Sequence, residues 1–292
     1  MVIQRLKLVE PRADVVKETV ITKGDLDQKT PIFEISQKGI FEKEVDKAVL
    51  DERVDFAVHS LKDIPVFESD TELTIACVLE RGPLGDVLVS RDNRKLNELK
   101  SGSVIGTSSL LRVAQLKRVR PDLEASPIRG NVETRIRKVS DALYDGAILA
   151  EAGVARLELF DSISESLSLN DFLPAPGQGI IAVVARRDNT GILELLSRVN
   201  HSATDAEAEA ERELVRVLES GCRLPLGAYA RADGNDILLT ACVLSSDGRE
   251  RIQATGTSSL SDASKLGTSI GSELLTKGAD KIEDTWHGRW PS

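Results

Sequence analysis

Two clusters of chain-breaking residues set the limits on how this chain folds. Arg81-Gly82-Pro83-Leu84-Gly85 and Leu173-Pro174-Ala175-Pro176-Gly177-Gln178-Gly179 interrupt apolar runs that otherwise read as strands. Proline and glycine at this density oppose continued helix or ladder. Between the clusters lie DVLVS, SVIGTSS, a helical stretch from Leu110, a short strand to Arg129, a helix from Val132, and AILA. Strands alternating with helices at that spacing predict a parallel, doubly wound sheet. VDFAVHS and TIACVL precede the first cluster, and IIAVVA follows the second. The chain is therefore expected to leave one α/β domain at the first cluster and return to it at the second. That makes a two-hinge architecture with a cleft between the domains.

The flanks complete the outline. Val2, Leu6 and Leu8 open a half-amphipathic run that ends near Pro11, residues 14–22 read as a strand, and Lys23-Gly24-Asp25 as its turn. Lys38-Gly39-Ile40-Phe41 reads as a mobile loop before a helix from Glu42 to Leu50. From Thr204 to Glu219 runs an Ala/Glu-rich helix. Thr204 and Glu207 fit a capping box there, and Gly221 its C-terminal stop. AYARA, DILLTACVL and RERIQATG, joined at Asp233-Gly234 and Asp247-Gly248, predict tight hairpins, and a helix over about 261–277 closes the chain. The expected division is 1–80 with 178–198, then 84–174, then 200–292, the last a small α+β domain.

Composition excludes several functions. Aromatic residues are 3% of the 292 positions and the net charge is −9, which opposes a base-stacking or nonspecific nucleic-acid surface. No apolar run is long enough to span a bilayer and no signal-peptide pattern occurs. Cys77, Cys222 and Cys242 are widely spaced without a CxxC, and His59, His201 and His287 are scattered, so neither a disulfide framework nor a zinc site is expected. The chain reads as cytosolic. Gly177-Gln178-Gly179 with Ala182 can be aligned to a dinucleotide fingerprint, but its glycines precede a strand instead of linking strand to helix, and no GxxxxGK[ST] loop exists.

The chemistry-bearing residues gather at strand ends. VDFAVHSLKDIP reads as a core strand feeding a loop, which places Ser60, Lys62 and Asp63 where open α/β sheets hold their ligands. An ordinary polar turn is the alternative for that stretch alone. Residues 101–140 carry eight basic side chains against three acids, in an acidic protein. Lys117, Arg118 and Lys138 read as solvated helix charges. Arg112, Arg129 and Arg135 fall at strand-to-helix junctions, and Gly106-Thr107-Ser108-Ser109 leads straight into a helix whose free N–H groups favour an anion. Guanidinium groups pair carboxylates bidentately, so the pattern points to a ligand with many carboxylates. Cys222, after Gly221 and beside Arg223, is the one cysteine placed in a loop, either as an activated thiolate or as a structural residue.

HSLKDIP, GTSSLLR, IRGNVETR, DGAILAEAGVARL, LPAPGQG and LESGCRLPLG stand in the order found in hydroxymethylbilane synthase, also called porphobilinogen deaminase, and the chain resembles that family from about Gly24 to its end. The resemblance implies two periplasmic-binding-protein-like α/β domains plus a small C-terminal domain, working as a cytoplasmic monomer. It implies a transferase of tetrapyrrole (haem) biosynthesis that joins four porphobilinogen molecules head to tail, releasing ammonia, into hydroxymethylbilane. The product grows on a dipyrromethane cofactor, which the resemblance attaches through a thioether to Cys222. It implies catalysis by Asp63, as proton donor to the departing amine and counter-ion to the azafulvene cation. Cofactor contacts would come from Ser60, Lys62, Thr107, Ser108, Ser109, Arg112, Arg129 and Arg135. Substrate contacts would come from Arg156, Gln178, Lys38 and Phe41.

Two departures stand out. Family members open with a strand and a GTRxSxLA loop that this sequence lacks, so the first domain is expected to be loosened and catalysis poor. Leu111 stands where an arginine is usual, so one ligand carboxylate is expected to lose its partner. The rival reading is a non-catalytic two-domain anion-binding protein, or a degenerate paralogue.

Overall fold

The computed structural model describes residues 1–20, 43–66, 72–218 and 225–282, arranged around three sheets. The chain opens in a helix, α1 (Val2–Val9), which buries Val2 and Leu6. After α2 (Lys43–Leu50) come β1 (Phe56–Ser60), a 3-10 turn at Leu61–Asp63, and β2 (Leu73–Val78). The second unit contains β3 (Asp86–Ser90), β4 (Val104–Gly106), α3 (Leu110–Val119), β5 (Glu124–Ser126), α4 (Val132–Ser140), β6 (Gly146–Ala150), α5 (Glu151–Arg156) and β7 (Glu165–Ser166). The chain then passes through β8 (Ile181–Arg186) and α6 (Thr190–Ser197) into the long α7 (Ser202–Leu218). It ends with β9 (Leu226–Asp233), β10 (Asp236–Leu244), β11 (Arg251–Ser259), α8 (Ala263–Thr276) and α9 (Ala279–Ile282). Among the described residues, no helix is long and apolar enough to cross a membrane.

The α/β layering is as expected, but the sheets are mixed instead of wholly parallel. β4 runs parallel to β5 and β6, whereas β3 is antiparallel to β6 and β7, and β8 lies antiparallel between β1 and β2. The reason lies in the two breaker clusters. β3 and β8 are the strands that emerge from the two breaker clusters, and each starts beside the end of another strand: Asp86 opposite Ala150, and Ile181 opposite Ser60. A strand entering from the carboxyl ends of its neighbours must run against them. Both clusters therefore adjoin the ends of strands where an α/β sheet leaves room for a ligand.

Aliphatic burial holds the layers. Val49, Ala57, Leu61, Val78 and Val184 form one face of the first sheet, and Leu6, Cys77, Val183, Ala185 and Leu196 the other. Cys77 is a buried small hydrophobe whose thiol pKa is pushed up to about 12 by desolvation. Cys242, fully buried in mid-strand, belongs to the core between the third sheet and α7 and α8. The hairpins turn at Gly234 (φ 59°) and Gly248 (φ 71°), the left-handed conformations expected of Asp-Gly turns.

Three local expectations change. Residues 14–20 form no strand and join no ladder among the described residues, with Val16 84% exposed; positions 21 and 22 lie outside the described residues. Period-2 apolarity makes a strand only when a partner edge is present to take its hydrogen bonds. The helix α7 begins at Ser202, so Thr204 lies inside it, and the Thr204 N–H donates to His201 Nδ1 instead. Glu207, released from the capping box, turns to Arg81 and the Ala232 N–H. Lys138 is half-buried and donates to the Arg129 carbonyl at 3.0 Å, so it is a loop tie and not a solvated helix charge.

Candidate functional site

Asp63 ends the 3-10 turn that caps β1. The turn is held by backbone: Leu61 N–H donates to the Ile180 carbonyl and Ile64 N–H to the Leu61 carbonyl, both at 3.0 Å. The Asp63 carboxylate is exposed and makes no hydrogen bond to any described residue, yet it acts electrostatically on Lys62, Arg135 and Arg156. Ser60 sits half-buried at the strand end. Lys62 retains solvent contact, but the protein around it and the nearby Arg112 depress its ammonium pKa to about 8, against the pull of Asp63 and Asp86.

The second unit faces this turn with arginines. Arg135, half-buried on α4, has its pKa lowered to about 10 by burial and then by Arg112 and Arg129, and its Nε donates to the Gly130 carbonyl at 2.7 Å. Arg156, exposed at the end of α5, is lowered by burial and raised by Asp63, and donates to the Gly179 carbonyl at 3.3 Å. Arg129 is 8% exposed in the loop between β5 and α4. Positive charges that depress one another, with little carboxylate among them, form a site prepared for anions.

Other expected ligands of the site have partners within the protein. Arg112 is 9% exposed and pairs bidentately with Asp86 at 2.9 and 2.7 Å, while also donating to the Ile148 carbonyl. Thr107 Oγ1 accepts from the Ser109 N–H, Ser108 Oγ bonds both backbone groups of Ile128, and Ser109 Oγ caps α3 through the Arg112 N–H. Gln178, 1% exposed, joins the units. Its Nε2 donates to Leu84 O, Gly85 O and Asp86 Oδ1, and its Oε1 accepts from Lys62 Nζ at 3.1 Å and Arg112 Nη2 at 3.3 Å. Lys38, Phe41 and Cys222 lie outside the described residues.

Leu111 does not face this junction. It is 5% exposed and packs with Ala114, Leu173 and the third unit's core, so its side chain fills an interface between units. The sequence reading also missed residues that tie the two breaker clusters together. Arg81 donates to the Gln178 carbonyl, to Glu207, to the Ala230 carbonyl and to the fully buried Glu211. Glu211 in turn accepts from the Gly177 and Ala230 N–H groups. Burial pushes the Glu211 carboxyl upward, against the pull of Arg81 and those donors. Glu207 and Glu211 look like ordinary helix charges in the sequence, because the Arg81 that explains them is 126 and 130 positions away. Asp86, a carboxylate opening the apolar run DVLVS, was the one legible signal.

Comparison with known proteins shows the family of the chain. Residues 1–194 match the family model described as porphobilinogen deaminase, dipyromethane cofactor binding domain, and residues 206–276 match its C-terminal domain. The chain is 46% identical over 286 residues to a probable porphobilinogen deaminase of Nitrosopumilus maritimus, covering 98% of this chain and 91% of that protein. It is 44% identical to the porphobilinogen deaminase of Carboxydothermus hydrogenoformans, covering 96% and 90%. The Bordetella pertussis BvgS VFT2 domain overlaps 68% of this chain and 75% of its own, at 17% identity and a TM-score of 0.41, a likeness too loose to add to the assignment. On these matches, which together span both the arginine-rich junction and the α7 unit, the chain belongs to the porphobilinogen deaminase family.

Proposed function

We propose that this protein condenses four porphobilinogen molecules head to tail into hydroxymethylbilane, with release of ammonia, in tetrapyrrole biosynthesis. The observation that carries the site assignment is the setting of Asp63. It is an exposed carboxylate at the junction of two units, with Lys62 beside it and Arg135 and Arg156 contributed from the facing unit. The donor set fits a dipyrromethane, whose acetate and propionate groups need cations; Arg129, Arg135 and Lys62 are the residues that would hold them, with Cys222 as attachment point. When bound, that group supplies the pyrrole acceptor on which the product is built.

The residues of the chain then have distinct tasks. Lys62 and the arginines hold the substrate carboxylates and so fix the aminomethyl carbon against the acceptor. Asp63 in its acid form gives its proton to the substrate amine. The carbon–nitrogen bond breaks, ammonia leaves, and the Asp63 carboxylate faces the cation left on the methylene carbon. The Asp63 carboxylate then takes back the proton displaced when the new carbon–carbon bond forms at that methylene carbon, which restores its acid form and balances charge over the cycle. Arg112 and Gln178 orient Lys62 and lock the two strands. The three sheets act as three domains, divided at the hinges as the sequence indicates, in a monomeric cytoplasmic enzyme.

Intact-protein mass spectrometry tests the assignment. An adduct of dipyrromethane mass is expected on the full chain, lost in Cys222→Ser and retained in Cys77→Ser and Cys242→Ser. A mass equal to the bare chain would support the anion-binding reading. Asp63→Asn should keep the adduct and lower turnover by about 10²- to 10⁴-fold. Turnover within a few-fold of the parent would remove Asp63 from its role.

A further inference from the structure

We infer that Arg212, on the third unit's helix α7, is a positioning residue for Asp63. The inference rests on the reading of Asp63 as the reacting carboxylate. Asp63 has no hydrogen bond to any described residue, so the backbone of its turn sets where its carboxylate stands. On the N-terminal side that backbone is tied to the first sheet through Leu61 N–H and the Ile180 carbonyl. On the C-terminal side Arg212 Nη1 donates to the Ile64 carbonyl at 3.2 Å and Nη2 to the Pro65 carbonyl at 3.0 Å. One guanidinium thus spans two successive carbonyls immediately after Asp63, a grip that uses its planar fork and that an ammonium cannot reproduce.

The neighbour of Arg212 in sequence makes the grip a bracket. Glu211 binds the hinge arginine Arg81 and the Gly177 N–H, so one turn of α7 holds the Asp63 turn and both hinges together. Gly177 in turn lies against the Asp63 turn, where a Cβ would meet Lys62 N at 2.8 Å. The third unit therefore sets the distance between Asp63 and the hinge across which the arginines of the second unit approach. Displacing a reacting group by about 1 Å costs up to about 100-fold in rate, so the grip acts on turnover more than on affinity.

The test compares kcat, KM, thermal midpoint and cofactor mass for Arg212→Ala, Arg212→Lys, Asp63→Asn and Arg212→Ala/Asp63→Asn, all as holoenzyme. Arg212→Ala should keep the adduct and a KM within about threefold, while kcat falls about 10- to 100-fold. Arg212→Lys should restore part of that loss. In the Asp63→Asn background Arg212→Ala should cause almost no further loss, because the residue acts through Asp63. An Arg212→Ala enzyme with parental kcat beside a slow Asp63→Asn overturns the inference alone. So does a full, independent loss in the double variant. A fast Asp63→Asn removes the reading of Asp63 and the inference with it. If Arg212→Ala does not fold, Arg212→Lys decides: parental kcat overturns the inference, and reduced kcat at unchanged KM supports it.

Discussion

Replacing Arg81 with leucine probes the hinge bracket. Arg81 and Glu211 form a buried pair, with side chains 7% and 0% exposed and an N–O distance of 2.6 Å. The variant leaves Glu211 without its counter-ion in a site that water does not reach. Breaking a buried pair from one side costs roughly 3–5 kcal/mol. The pair ties all three units, and at about 2–4 °C per kcal/mol for a cooperative unit of about 150–250 residues or more, the thermal midpoint should fall by about 6–20 °C. Adding Glu211→Gln should recover part of the loss. The amide carries no charge and still offers its oxygen to the Gly177 or Ala230 N–H, whose present bonds to Glu211 are 2.5 and 2.6 Å. The pH dependence has a definite sign. Burial already raises the Glu211 pKa, and removing Arg81 takes away the main opposing pull. A carboxyl whose folded pKa lies above the unfolded value contributes stability below the unfolded pKa and loses it as pH rises through the folded one. The deficit of Arg81→Leu against the parent should therefore be smaller near about pH 5 than near about pH 8. Thermal melts of parent, single and double variants at both pH values provide the measurement. A single-variant loss under about 1 kcal/mol, or a double variant as damaged as the sum of its parts, would refute the argument.

Three further outcomes follow from the geometry. Leu111→Arg should lower the thermal midpoint without raising turnover, because the side chain would carry a charge into an apolar interface between units instead of reaching a ligand; a stable, faster variant would contradict this. In the ligand-free chain, Lys62 should acylate with a rate rising through about pH 8, well below the range of ordinary lysines, and bound carboxylates should shift that profile upward; peptide mapping across pH reads it. Gly177→Ala should destabilise by about 1–3 kcal/mol, since φ is +78° and the added methyl would crowd Lys62 N and Leu61; an unchanged denaturation midpoint would show the contact to be relaxed at no cost.

Much of the candidate site was legible because its signals are local. A strand that ends in a polar turn, serine and threonine before a helix, and arginines after short strands each announce themselves within a few residues. Asp63, Lys62 and Arg135 accordingly fall together at the junction where the pattern places them. Leu111 shows the limit of such reading, because a helix exposes its sides to different neighbours. Arg112, the very next residue, turns to Asp86, while Leu111 enters the third unit's core.

The apolar periodicities, breaker clusters and Asp-Gly turns determined by themselves that the chain would build α/β layers, cross between them twice, and finish in a hairpin-rich unit. Those features depend on backbone sterics and on the burial of one face, which act over a few residues. Only the tertiary structure decided the direction of β3 and β8, because a strand's sense depends on which end of a sheet the chain re-enters. Only it decided that Glu207 and Glu211 are hinge ties, that Gln178 is a bridge, and that Arg212 grips the turn after Asp63. The pairs Arg81–Glu207, Arg81–Glu211, Gln178–Asp86 and Arg212–Ile64 stand between 92 and 148 positions apart, and a charge acquires its meaning from what folding brings beside it, which spacing along the chain does not encode.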